Sequence, residues 1–432
     1  MNGAVTELYE GRIEMKAKNK SKSNGSINRR EFLQRGAEAT FAVGAVSVLG
    51  FPAVLRGAVA PSIKLGHIHP MTGFLAFLGA QLRAGLVLAV AEINAAGGIK
   101  SLDGAKIELL DGDSEGKPEV AITEVERFNN KGCIAVTGCL QSSVTLVATQ
   151  QAERLRLPFV VSVSVSDKIT ARGFKYTFRL QPNSRHMASQ TMQYLSEIAK
   201  SNGVPIETIS YIHDNTSFGT SLFKHVDRLA PNYGWEIAAD VPYSPRATDV
   251  STEVNKIKFA GADVVFHSGY FSDSIRVLRT MLDLRIKAKG IVGLANGAYS
   301  QAKFVSEMGS KAEHVMDGNY RANPKSAMTA RVFAAYKRQF NEVMPSHAVY
   351  SYQGVKIFAA ALEKSGSRDR EALREALSKT RVNEHILPQG TIMFGADGQN
   401  VNARAAMMQI LDQKVQVVWP NTYAQAKPIF PQ

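Results

Sequence analysis

The 432-residue chain has only two cysteines, Cys133 and Cys139. They fall six residues apart across one predicted strand, which puts their Cα atoms roughly 20 Å apart, against the ~4.4–6.8 Å that a disulfide tolerates. Both are therefore expected to be free thiols, and neither stands in a Cys-x-x-Cys or Cys/His zinc spacing. Enzyme signatures are lacking as well: there is no Gly-x-Ser-x-Gly elbow, His-Glu-x-x-His helix, P-loop or Gly-x-Gly-x-x-Gly after a strand. The glycine-rich run Asn94-Ala-Ala-Gly-Gly-Ile99 ends a helix instead of opening one, which is the wrong geometry for phosphate. No stretch after residue 60 reads as apolar enough to span a membrane. The excess of 51 Lys/Arg over 38 Asp/Glu gives +13, but nine and five of these fall in 1–60, leaving 42 against 33 for the rest. Those charges are scattered, without a basic tract interleaved with aromatics, so nucleic acid is not an expected partner.

Two histidine motifs were weighed as chemistry. His67 and His69 share one strand face with no Cys, Asp or Glu beside them in sequence, and read as structural residues, not metal ligands. His213 and Asp214 are adjacent on a strand and point to opposite faces, so they do not form an acid–base pair. The expectation is a chain with no catalytic residues, no metal and no cofactor.

What is present begins at the N-terminus. Residues 1–28 are polar; Asn28-Arg-Arg-Glu-Phe-Leu-Gln34 is followed by the small-residue apolar run Ala37–Val54 and by Ala58-Val-Ala60. A charged region, a modest apolar region and an Ala-x-Ala site are the anatomy of a cleaved export signal, and paired arginines before x-Phe-Leu resemble the twin-arginine type. A periplasmic address follows as an expectation.

From Ser62 onward, apolar strands alternate with amphipathic helices at the spacing of βαβ units, which predicts parallel sheets. The fold expected is α/β, two doubly wound Rossmann-like lobes with a cleft between them. The first lobe takes 61–182 and 316–393, the second 183–315 and 394–420. Residues 421–432 form a tail, and the strand-like tracts Gly390–Phe394 and Ala405–Val418 form a hairpin joining the lobes.

The site is read from strand ends. Ile134-Ala-Val-Thr-Gly-Cys-Leu-Gln-Ser-Ser143 is a strand, a glycine turn and two serines, Ser142 and Ser143, opening the helix that runs to Arg154. Unpaired N–H groups and the positive dipole end of a helix make a seat for an anion such as a carboxylate. Pro158-Phe-Val-Val-Ser-Val-Ser-Val-Ser166 repeats the plan with Ser162, Ser164 and Ser166, placing hydroxyls where open α/β sheets bind ligands. Aromatic residues recur at later strand ends, Phe218, Tyr270 and Phe271, with Phe77 in the first loop. Together they describe an apolar cleft with a few polar anchors.

These stretches resemble the type I periplasmic solute-binding proteins of the branched-chain amino acid (Leu/Ile/Val) transporter group. The resemblance covers essentially all of 62–420. It is carried by Gly66-His-Ile-His-Pro-Met-Thr-Gly73, Ala91-Glu-Ile-Asn-Ala-Ala-Gly-Gly-Ile99, Gly138–Thr145, Ser162–Ser166 with Arg172–Arg179, and Tyr211-Ile-His-Asp-Asn-Thr-Ser-Phe-Gly219. It implies a receptor that traps a solute between lobes and delivers it to the permease of an ABC importer, acting as a monomer. It implies that Ser142 holds the solute carboxylate, that Ser164 and Ser166 assist, and that Phe218 and Tyr270 close over it. The chain departs from the pattern at Leu78, where a bulky aromatic is usual, and at Ala295-Asn296, where amino-acid binders carry the glutamate that pairs with the ammonium. The departure points to an aromatic or keto acid, or an amide, in place of a zwitterion. A ligand sensor acting through a separate signalling partner, and a hydrolase, are the other classes open to this sequence.

Overall fold

A computed structural model describes residues 60–432, and the export signal read at 1–60 lies outside these residues but for Ala60. The first lobe is built from β1 (Ile63–His69), α1 (Ala76–Ala95), β2 (Ile107–Asp113), α2 (Pro118–Asn130), β3 (Ala135–Gly138), α3 (Ser142–Arg154), β4 (Phe159–Val161) and β5 (Thr177–Arg179). The second follows as α4 (Ser184–Ser201), β6 (Thr208–Asp214), α5 (Ser217–Leu229), β7 (Glu236–Tyr243), α6 (Ser251–Ala260), β8 (Val264–Ser268), α7 (Phe271–Asp283), β9 (Gly290–Leu294), α8 (Ala302–Met308) and β10 (Met316–Asn319). Helices α9 (Ala327–Phe340), α10 (Ser346–Ser365) and α11 (Arg370–Ser378) come next, then the antiparallel pair β11 (Ala406–Leu411) and β12 (Lys414–Trp419).

The first sheet runs β2-β1-β3-β4-β5, all parallel. The second runs β12-β11-β10-β9-β8-β6-β7, and its parallel part, β7-β6-β8-β9-β10, repeats the order of the first. In such sheets the crevice opens beyond the carboxyl ends, where successive connections leave to opposite faces. Each lobe has that point, between β1 and β3 in one and between β6 and β8 in the other. The apolar strands are buried because helices cover both faces of each sheet.

Helix starts follow from local sequence. Pro118 stands in the first turn of α2, while the side chains of Asn183 and Thr216 accept backbone N–H bonds from the first turns of α4 and α5. Helix α1 corrects the expectation about apolar runs, since by length and composition it is fit to cross a membrane. It is a core helix that packs along α10. A Cβ at Gly85 would lie 2.2 Å from the Ala348 carbonyl oxygen, so glycine is what lets the two helices touch.

The sheets also place the crossings between lobes later than expected. Met316–Asn319 pairs with β9 in the second sheet, and Gln399 bridges to Arg179 at the edge of the first. The second crossing thus follows Asn319 and not 316, and the third follows Asn400 and not 394. The reason is polar: Asp317 and Asn319 make β10 look like a loop, and the buried Arg179 guanidinium draws in Gln399 through a 2.6 Å bond from Nε. Gly390–Phe394 forms only isolated bridges, so the hairpin is β11–β12 alone.

Candidate functional site

A small pocket, open in part to solvent, lies between the two sheet edges. The first lobe lines it with Leu78 from α1, Leu140 and Ser142 beyond β3, and Val163, Ser164 and Val165 beyond β4. The second brings Phe218 after β6, Gly269 and Tyr270 after β8, Ala295 and Gly297 after β9, and Tyr320 after β10, while His347 comes from the start of α10. Seven connections, from both sheets and one returning helix, meet in one small space.

Ser142 is the first residue of α3, and no side chain caps that helix, since Gln141 at the N-cap position makes no such bond. The Ser142 Oγ accepts a 3.3 Å bond from the Ser166 N–H, which leaves its proton for a guest. Uncapped N–H groups and a free hydroxyl on a 13-residue helix make this the anion-favouring corner of the cavity. Ser164 also lines the cavity, but its Oγ spans to the carbonyls of Cys139 and Leu140 at 2.9 and 3.0 Å and to Thr145 Oγ1 at 2.5 Å. It clamps the turn after β3 to the end of β4. Below it, the fully buried Arg179 donates from Nη1 to the Ser166 carbonyl at 2.6 Å and from Nη2 to Thr170 Oγ1 at 3.0 Å.

Of the residues expected at the site, Leu78, Ser142, Ser164, Phe218 and Tyr270 line the cavity, and Ser143, Ser166 and Asn296 do not. Ser166 supplies its backbone N–H to Ser142 instead of its hydroxyl to the cavity. Asn296 turns inward, where its Oδ1 accepts from the Ala298 and Tyr299 N–H groups at 2.9 and 3.2 Å and fixes the loop. The residue facing the cavity there is Ala295, held left-handed at φ 54°. Phe77 belongs to α1 and meets Phe271 across the lobes with ring centroids 4.6 Å apart.

Tyr320 and His347 carry no local sequence signal that marks them for the site. The Tyr320 hydroxyl and His347 Nε2 are 3.2 Å apart, and burial pushes the imidazole down to about 4, so it is neutral. Among the described residues, no carboxylate and no Lys or Arg side chain lines the cavity. Carboxyls stand behind it in the second lobe: burial raises Asp214 to about 6 and Asp317 to about 7, and also raises Asp273. Asp273 accepts from the Tyr243 hydroxyl at 2.7 Å and from the Tyr270 N–H at 3.1 Å, so it seats the lid residue.

The lobes are latched around this space. Gln81 Nε2 donates to Gln301 Oε1 at 2.7 Å, Phe74 meets Tyr270 edge-on at 6.3 Å, and His225 of α5 bonds Asp167 of the first lobe. Elsewhere, His67 Nε2 reaches Asp111 on the adjacent strand at 2.6 Å, a neighbour that its sequence surroundings did not reveal. His213 contacts Asp240 and the Asp214 backbone carbonyl, not the Asp214 side chain. Both cysteines are free and buried, and no cluster of three His, Cys, Asp or Glu suited to a metal occurs among the described residues.

Two doubly wound lobes with a pocket between their sheet edges make a two-lobed α/β fold. The profile described as "Periplasmic binding protein" matches residues 62–414, and the chain belongs to that family. The Leu/Ile/Val-binding protein homolog 7 of Brucella suis is 32% identical over 398 residues, covering 89% of this chain and 98% of the relative. Among solved structures, the branched-chain amino acid transporter substrate binding protein of Streptococcus pneumoniae, determined with isoleucine, superposes with a TM-score of 0.71 at 22% identity over 86% of this chain and 100% of that one. A Rhodopseudomonas palustris solute binding protein determined with 4-hydroxybenzoate gives a TM-score of 0.70 at 16% identity, covering 82% and 95%.

Proposed function

We propose that this chain is the exported solute-binding component of an ABC importer, and that it closes on a small organic acid and presents the closed form to a permease. The observation that carries this reading is the uncapped start of α3, with the Ser142 hydroxyl free, in a cavity that the opposite lobe completes with Phe218 and Tyr270. Ser142 and the first N–H groups of α3 take the carboxylate, Ser164 shapes that corner, and Leu78, Phe218 and Tyr270 cover the apolar body. Closure is favoured because the ligand makes contacts to both lobes that only the closed state satisfies.

The solute is an acid without an ammonium group, an aromatic or keto acid, or an amide. A buried ammonium needs a carboxylate partner, and none lines the cavity. The structural relatives named above were determined with isoleucine in one case and 4-hydroxybenzoate in the other, so solutes of both kinds fit between lobes of this type. The leader at 1–60 fits export to the periplasm, and the protein acts there as a monomer, without catalysis.

Thermal unfolding of the purified protein with leucine, valine, phenylpyruvate, hydroxybenzoate, amides and urea tests this. A solute at 100 times its Kd adds about 2.7 kcal/mol of stability. The expected result is a rise in Tm with an acid lacking the ammonium. Leucine as the strongest ligand would overturn the solute class, and silence across organic acids, amino acids and amides would overturn the binding role.

A further inference from the structure

The side chains that line the cavity ask two different things of a guest. At the α3 end stand N–H groups and a hydroxyl suited to an anion. His347 and Tyr320 also line the cavity, and His347 is only 5% exposed. Its Nδ1 has no hydrogen-bond partner, and its Nε2 has only the Tyr320 hydroxyl, at 3.2 Å. The neighbouring His69 is fully buried with both ring nitrogens unpartnered. Buried polar atoms without partners are rare because each costs about 1–3 kcal/mol. Among the described side chains that line this cavity, His347 brings such an atom, Nδ1.

The chemistry they demand follows from counting protons. If the Tyr320 hydroxyl donates to Nε2, the imidazole proton sits on Nδ1, and the pair offers an Nδ1–H donor and a phenol oxygen acceptor. If Nε2–H donates instead, the pair offers a phenol O–H donor and an Nδ1 acceptor. Either tautomer presents one donor and one acceptor. A guest hydroxyl satisfies both. Beside this pair a carboxylate would meet no cation from the cavity lining, an ammonium no anion, and a methyl group would leave the pair unsatisfied.

We infer that His347, with Tyr320, is the specificity-determining pair of this cavity and selects an organic acid that carries a neutral hydroxyl besides its carboxylate. This rests on the organic-acid reading above and narrows it. A site built around a solute hydroxyl rejects the analogue without it far more strongly than an apolar pocket rejects a missing methylene.

The test is calorimetric titration of the purified protein with two matched pairs, 4-hydroxybenzoate against benzoate and 6-hydroxyhexanoate against hexanoate. For at least one pair the hydroxylated member should bind at least tenfold tighter. In His347→Leu that ratio should fall below threefold, and His347→Asn, which keeps a polar group near the Nδ1 position, should recover part of it. Should His347→Leu fail to fold, Tyr320→Phe keeps the ring and should lower the ratio at least threefold. Equal or tighter binding of the deoxy members, or an unchanged ratio in these variants, overturns the inference while organic-acid binding stands. If both pairs fail to bind but another acid lacking the ammonium does, the inference alone falls. If no such acid binds, the parent reading falls with it.

Discussion

At the carboxyl edge of the first sheet the cavity meets Leu140, Ser142 and Ser164, and at the matching edge of the second it meets Phe218, Tyr270 and Tyr320. Both edges are made by parallel strands in the same order, so topology does not account for the contrast. The buried ionisable groups behind each edge also differ in kind. Arg179 underlies the hydroxyl side and ties down the Ser164 and Ser166 carbonyls, whereas Asp214, Asp273 and Asp317 lie behind the aromatic side. A duplicated architecture supplies two crevices, and what is placed at the strand ends makes one an anion seat and the other a lid.

Exchanging the sign on the hydroxyl side should break this contrast most sharply. Ser142→Asp puts a carboxylate where the solute's own is proposed to sit, and solute affinity should drop by more than a hundredfold in calorimetry. The milder Ser142→Ala removes one bond to a charged group, about 1.5–3 kcal/mol, or about tenfold to a hundredfold. Arg179→Leu should lower stability in urea by about 3 kcal/mol, because it leaves buried carbonyl oxygens without donors. On the lid side, Tyr270→Ala should weaken binding by about tenfold, mainly through faster release, measured by stopped flow; an effect as large as that of Ser142→Asp would mean that the lid, not the anion seat, dominates.

The remaining effect is a slope. Burial raises Asp317 to about 7, so the folded state holds its proton over a range where the unfolded chain has released it. Stability from this group is complete below its unfolded value near 4 and is lost as pH rises to about 7, at up to about 1.4 kcal/mol per pH unit. Asp317→Asn should flatten that decline in urea titrations between pH 4.5 and 7.5. A matching slope in both proteins would show that Asp317 is ionised in the folded state.

Much of this was legible in the sequence where one strand and the residues after it carry the whole signal. Ser142 and Ser164 follow apolar strands directly, and Phe218 and Tyr270 stand at helix starts, so local pattern was enough to place them at sheet edges. Tyr320 follows Met-Asp-Gly-Asn, a strand without apolar alternation, because its polar side chains bond within the core: Asn319 Nδ2 donates to the Asn296 carbonyl at 2.8 Å. His347 reaches the cavity only because α10 returns to pack on α1, a contact made across more than two hundred residues. Asn296 misled for the opposite reason, since its short side chain satisfies its own loop. The seven-residue helix α8 is too short for a period to emerge.

The buried thiols have one practical consequence. Burial pushes Cys133 up to about 11 and Cys139 up to about 12, so neither presents a thiolate to a maleimide at neutral pH. To such a reagent the native chain behaves as though it had no cysteine. Lys117 of the first lobe and Arg246 of the second line the same surface groove, and a lone cysteine installed at Lys117 would carry an environment-sensitive dye there against a dark background. The protein is thus suited to becoming an optical reporter of its own solute without removal of either native cysteine.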